Sequence, residues 1–180
     1  MAPVTRGADI SAIRLLVLDV DGVLTDGTVT IHADGSESKR FCLQDGHGIK
    51  MWRRAGLEIA LLSGRPSAAT RHRAQQLHIK HLIEGCQEKL PALKDLLAGL
   101  AIPAEQVAYV GDDLIDIPVV RYVGLGCAVA NAVDQLKLYA DYVTKRPGGH
   151  GAVREVIEYI LRSSGRWDEL AQRYTGELGQ

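Results

Sequence analysis

Two carboxylates stand two residues apart where an apolar run ends: Leu15-Leu16-Val17-Leu18 leads directly into Asp19-Val20-Asp21-Gly22-Val23-Leu24-Thr25. In an extended strand, residues i and i+2 share a face, so Asp19 and Asp21 are expected to look out together. At ~4 Å and an effective dielectric of ~20, two such charges repel by about 4 kcal/mol. A cation, a shared proton or a reaction would offset that repulsion. A solvated turn after a strand is the plain alternative, because Asp and Gly are both common there.

The elements that must position these groups follow from the rest of the chain. Residues 14–20 read as a buried strand, and 28–32 and 38–43 as the arms of a hairpin around Ala33-Asp34-Gly35-Ser36. Residues 48–55 read as a helix ended by Gly56, 57–62 as a strand, and 66–77 as a helix entered through Pro66. A short strand at 80–83 precedes a helix with Leu90, Leu93, Leu97 and Leu100 on one stripe. Strands follow at 107–110, 124–130 and 141–143. A last helix from Gly151 places Val153, Val156, Ile157 and Ile160 at i, i+3, i+4 and i+7. Residues 162–180 are polar, carry Gly165 and Gly176, and read as a mobile tail.

Strands alternating with helices imply an α/β fold, a mostly parallel, Rossmann-like sheet with helices on both faces. Ligands in such sheets bind beyond the carboxyl ends of the strands. Asp19 and Asp21, Ser63-Gly64-Arg65 and Gly111-Asp112-Asp113 all fall at such ends, and Lys89 opens the helix after the short strand. Carboxylates, a hydroxyl, a guanidinium and an ammonium on one rim suit phosphoryl transfer. A hard cation such as Mg²⁺ takes carboxylate and carbonyl oxygens, here Asp19, Asp112 and the carbonyl of Asp21. One carboxylate would attack phosphorus while the other moves the proton. Ser63 and Lys89 would bind the equatorial oxygens.

Bulk properties fit a single soluble domain. With 180 residues the chain is long enough for one real core and short for two, so one domain is expected, with a core over about 12–162 and the tail at 163–180. A net charge of −1 without a basic block argues against nucleic acid and anionic membrane as partners. No apolar run reaches the ~20 residues of a bilayer span. The residues ahead of Ile13 lack a signal core, which implies a cytoplasmic protein. Cys42, Cys86 and Cys127 are dispersed, as expected of reduced thiols. The histidines show no zinc-binding spacing.

With those residues in hand, the chain resembles the haloacid dehalogenase superfamily of phosphatases. The string D-V-D-G-V-L-T-D-G looks like its first motif, and Ser63 in Leu61-Leu62-Ser63-Gly64-Arg65 like its second. Lys89 matches the third, and Gly111-Asp112-Asp113-Leu114-Ile115-Asp116 the fourth, G-D-D-x-x-D. The resemblance implies Asp19 as nucleophile, Asp21 as general acid/base and Asp112 as metal ligand, with Asp113 and Asp116 supporting the Mg²⁺ site. More closely the chain resembles the capless 3-deoxy-D-manno-octulosonate 8-phosphate phosphatase family, whose sugar acid enters lipopolysaccharide. That likeness spans about 14–161 and includes Asp45-Gly46-His47-Gly48-Ile49, Ala140-Asp141-Tyr142-Val143-Thr144 and the stretch from Gly148 to Glu155. Ser63 stands where relatives often carry Thr.

Neither gap between the motifs holds a lid domain, so a neighbouring subunit is needed to cover the site. The family resemblance implies a homotetramer acting on a phosphorylated sugar acid, with assembled hairpins and a C-terminal segment closing an adjacent site. Arg65 is expected to meet the substrate's phosphate or carboxylate, and Thr25, Gly64 and Asp26 to line the mouth. Lys145 and Arg146 would serve an anionic sugar acid at a subunit boundary or form a solvated pair. Asp45 would support the hairpin or touch substrate. Three rival functions stand beside this one: a phosphatase for a nine-carbon sugar acid phosphate, a receiver-type phospho-accepting domain and a non-catalytic interaction module.

Overall fold

Leu15–Leu18 (β1) is buried at every position. Because successive strand residues point to opposite faces, both faces of the sheet are covered there. The computed structural model describes residues 9–176. Residues 1–8, which carried part of the no-leader reading, and 177–180 of the expected tail lie outside the described residues.

After β1 come β2 (Thr30–Ile31), β3 (Glu37–Ser38), α1 (Leu43–Arg54), β4 (Glu58–Leu62), α2 (Ala68–Gln76), β5 (His81–Ile83) and α3 (Lys89–Leu100). Then follow β6 (Val107–Gly111), α4 (Ile117–Val120), β7 (Leu125–Ala128), α5 (Asp134–Lys137), β8 (Tyr142–Val143), α6 (Ala152–Ser163) and α7 (Trp167–Thr175). The main sheet runs β5-β4-β1-β6-β7-β8 with every neighbouring pair parallel; β2 and β3 form a separate antiparallel hairpin. The α/β fold with a projecting hairpin is thus as the sequence implied. The chain leaves β1 for β4 on one side and reaches β6 on the other, so the sheet's switch point opens beside β1.

Register sets what meets there. Leu18 lies between Leu61 and Val110. Asp19, Ser63 and Asp112 are therefore one, two and two residues beyond one level of the sheet. The core beneath joins β1, β4 and β6 to α6, where Val153, Val156, Ile157 and Ile160 are all inaccessible to solvent, as their periodicity predicted. On α3, Leu93 and Leu97 are buried, while Leu90 and Leu100 are half-covered against the same core.

Three expectations need correction. The helix read as starting at Gly48 starts at Leu43. Gly46 and Gly48 suggest a break, yet both are contact sites: a Cβ on Gly46 would lie 2.3 Å from the Arg73 guanidinium, and one on Gly48 2.9 Å from Arg154 Cδ. The hairpin arms pair over only two residues each, with Asp34 Oδ1 accepting the Ser36 N–H in the turn. The expected mobile tail contains α7. Its Trp167 ring lies under the Arg162 and Arg154 guanidiniums, at 4.3 and 5.5 Å, and Trp167 and Leu170 pack on the core.

Asp45 takes neither of the roles left open for it. From α1 it accepts the Gly151 and Arg154 backbone N–H groups, capping the start of α6 from outside that helix. Burial raises its pKa, and those two donors pull against the shift. Asp45→Ala leaves buried donors unmet and is expected to cost about 1–3 kcal/mol. A drop in Tm with kcat retained would show this; lost turnover with an unchanged Tm would put Asp45 at the substrate instead.

Candidate active site

Beyond β1 the chain turns back on itself. Thr25 Oγ1 accepts the Gly22 and Gly27 N–H groups and donates to the Val20 carbonyl, so this buried hydroxyl fastens the loop and does not line the mouth. A second loop supports the first from behind. The Gly149 N–H bonds the Val23 carbonyl, and a Cβ on Gly148 would fall 1.7 Å from the Gly22 oxygen. Gly148 and Gly149 thus serve packing behind the carboxylate loop, and His150 bonds the Gly148 carbonyl beside them.

In front of that loop is a cavity of about 240 Å³ bordered by Asp19, Asp21, Ser63, Lys89, Asp112 and Ile115, with Gly64 and Arg65 at its side. Asp19 is 5% exposed. Its Oδ1 accepts the Val20 N–H at 2.7 Å and its Oδ2 lies 2.8 Å from Lys89 Nζ. The same ammonium lies 2.6 Å from Asp116 Oδ1, so it bridges two carboxylates. Burial works against its charge, but Asp19 and Asp116 outweigh burial and raise the Lys89 pKa. Ser63 Oγ is held by its own turn, donating to the Arg65 carbonyl and accepting the Arg65 N–H.

Asp19, Asp112 and Asp116 each offer an oxygen within 4.8 Å of the others. Asp116 is nonetheless spent: one oxygen takes Lys89 and the Tyr109 hydroxyl, the other the Asp112 and Asp113 N–H groups. Asp113 caps the short turn over 114–116 through the Leu114 N–H and is exposed. Both thus brace the acidic loop, and the lone pairs left for a cation are on Asp19 and Asp112. Burial, then Asp116, raises Asp19 to about 6 despite Lys89; burial, then Asp19 and Asp116, raises Asp112 to about 8. One ammonium does not balance three carboxylates. Gly22 makes the cradle possible, since a Cβ there would lie 1.9 Å from Asp112 Oδ2. Two hard, under-compensated oxygen donors over a glycine fit a small divalent cation.

Asp21 lies at the cavity edge with both oxygens on Lys39 of the hairpin, at 2.7 and 3.0 Å. Arg65 reaches the same hairpin through Glu37 at 3.3 Å. Lys39, Glu37 and Tyr109 were not singled out from the sequence. Glu37 and Lys39 alternate along one arm, which puts both side chains on one face, and a tyrosine inside a continuous apolar strand needs a buried partner. Lys145 and Arg146 lie elsewhere, in a groove of about 450 Å³ with Gln44, Tyr142 and Arg154. There Arg146 donates to Gln44, and both backbone N–H groups go to Glu155.

A family model for haloacid dehalogenase-like hydrolases matches residues 82–157, which takes in Lys89 and the G-D-D-x-x-D loop. The 3-deoxy-D-manno-octulosonate 8-phosphate phosphatase KdsC of Escherichia coli is 50% identical over 157 residues, 87% of this chain and 84% of that protein. The chain belongs to the 3-deoxy-D-manno-octulosonate 8-phosphate phosphatase family. Solved structures agree. A probable yrbi family phosphatase from Pseudomonas syringae superposes with a TM-score of 0.91 at 48% identity, covering 93% of this chain and 95% of that one. The 3-deoxy-D-manno-octulosonate 8-phosphate phosphatase of Moraxella catarrhalis, solved with magnesium, phosphate and KDO, has a TM-score of 0.91 at 40% identity over 92% and 95%. Membership of this phosphatase family removes the receiver-domain alternative.

Proposed function

We propose that this protein hydrolyses 3-deoxy-D-manno-octulosonate 8-phosphate to the free sugar acid and phosphate, in making a lipopolysaccharide precursor. The observation that carries the reading is the meeting of Asp19, Lys89 and Asp112 at the switch point, in a chain 50% identical to a phosphatase of that name. An Asp19 oxygen attacks phosphorus, the bond from phosphorus to the sugar oxygen breaks, and Asp21 supplies the proton that the departing alkoxide takes. Asp21 then takes a proton from water, water attacks the aspartyl phosphate, and the bond from phosphorus to Asp19 breaks to release phosphate. Lys89 and the Ser63 hydroxyl hold the transferring oxygens, and Arg65, 56% exposed at the mouth, takes the substrate's anionic end. Mg²⁺ held by Asp19, Asp112 and the Asp21 carbonyl would neutralise charge on the phosphoryl group.

Phosphate release from eight-carbon and nine-carbon sugar acid phosphates and hexose phosphates, with Mg²⁺ and with chelator, tests this reading. The eight-carbon ester is expected to be fastest and chelator to stop the reaction. A faster nine-carbon ester would move the assignment to that sugar acid, and a dead protein would leave a non-catalytic module.

A homotetramer completes the proposal. The cavity opens outward, with only the hairpin and α1 between β1 and β4, and Ile31 on the hairpin is 74% exposed. Light scattering is expected to give four times the 19.5 kDa chain mass; a fully active monomer would refute it. No helix among the described residues is long and apolar enough to cross a membrane. With the three cysteines unpaired, the cytoplasm is the compartment we assign.

A further inference from the structure

Lys39 has no solvent-exposed side-chain surface, although it rises from a hairpin whose other residues are largely open to water. Burying an ammonium is costly unless a partner offsets it. Its partners are both Asp21 oxygens, 2.7 and 3.0 Å away, with Thr70 Oγ1 at 3.4 Å. Asp21 has a reason to leave: it sits two residues from Asp19 on the same rim, like charge repels it, and solvent reaches 24% of its side chain. A carboxylate so placed lowers its energy by rotating outward, away from the reacting atoms. Glu37, two positions earlier on the same hairpin face, holds Arg65 across the mouth. The hairpin therefore grips the cavity at two points.

We propose that Lys39 is a positioning residue that holds the Asp21 carboxylate over the cavity against repulsion from Asp19. The inference rests on the proposed role of Asp21 as proton carrier and deepens it. It also gives the hairpin a task inside its own subunit. A carboxylate that must face first the leaving oxygen and then the attacking water gains from being held in one rotamer through both steps, and misplacement by about 1 Å costs on the order of 10²-fold in rate.

The test compares Lys39→Met, Lys39→Arg, Asp21→Asn and the Lys39→Met/Asp21→Asn double variant. Rates are measured on the sugar phosphate and on p-nitrophenyl phosphate, each with a Tm. Lys39→Met is expected to lower kcat by about 10²-fold with KM within about threefold, and Lys39→Arg to restore about tenfold of the loss. In the Asp21→Asn background the same substitution should cost less than about twofold, because nothing remains to be positioned. A Lys39→Met kcat within about threefold of wild type overturns the proposal, as does a raised KM at full kcat, which would mark a substrate-binding lysine. An unabated loss in the double variant overturns it too. If Lys39→Met does not fold, Lys39→Gln carries the same comparison. A wild-type enzyme inert to the sugar phosphate but active on the aryl ester would sink the substrate assignment and leave Lys39 testable. A fully active Asp21→Asn enzyme would sink the role of Asp21, and with it that of Lys39.

Discussion

Asp19→Asn is expected to lower kcat for phosphate release by at least about 10⁴-fold, since an amide neither attacks phosphorus nor leaves it. The fold should survive the change. Burial, then Asp116, raises the Asp19 pKa to about 6 even with Lys89 beside it. A carboxyl raised in the folded state contributes stability below its unfolded value, and that contribution is lost as pH climbs through about 6. In metal-free protein at pH above that value, the Asp19 charge is therefore a liability that asparagine removes. Scanning calorimetry with chelator at alkaline pH should give the variant a Tm equal to or above wild type, with the gap closing in acid. Residual turnover within about tenfold of wild type would remove Asp19 from the nucleophile's place. A collapsed Tm would mean that its bond to Lys89 matters more to folding than its crowding costs.

The same crowding explains what the sequence disclosed and what it withheld. Asp19, Asp21, Ser63 and Asp112 were legible because a parallel sheet aligns strand ends, and one apolar run per strand marks where each ends. Register then needs no side-chain detail: Leu18 between Leu61 and Val110 brings the three segments together. Lys39 was not legible, because a hairpin paired over two residues per arm lands where tertiary contacts put it, and its own pattern says nothing of Asp21. Gly46 and Gly48 signal a helix boundary by propensity but are held inside α1, where their missing side chains admit Arg73 and Arg154. The helix at 167–175 was hidden for a related reason. Its polarity suggests a tail, and what fixes it is a tryptophan held by two arginines of α6. The motif alone gives Asp116 a supporting part, and the structure gives the cause. Four donors converge on its carboxylate, from Lys89, Tyr109 and two backbone N–H groups, so it ties the loop carrying Asp112 to Lys89 and β6.

Mg²⁺ removal is expected to abolish turnover, and the affinity for Mg²⁺ should climb steeply with pH. With no cation present, Asp112 holds its proton up to about 8, because burial and the neighbouring Asp19 both disfavour its charge; Asp19 holds its own to about 6. Ligation requires both ionised, so the metal competes with protons. Between those two values, each unit of falling pH should weaken binding by about tenfold, and below the lower one by up to about a hundredfold. Binding near neutral pH should release about one proton, counted by isothermal titration in buffers of different ionisation enthalpy. The sign for stability runs the same way. The metal-free protein loses stability as pH rises through about 6 and then about 8, so the Tm increment from saturating Mg²⁺ should widen over that range. Asp112→Asn should weaken binding and flatten its pH slope in the upper part of the range, where only this carboxyl titrates. A pH-independent affinity in wild type would mean that Asp19 and Asp112 are already ionised without the metal. The balance of three carboxylates against Lys89 would then have another source, and the two carboxyls would bind the cation without giving up a proton; Asp112→Asn binding Mg²⁺ as tightly as wild type is the result that would remove that side chain as an anchor.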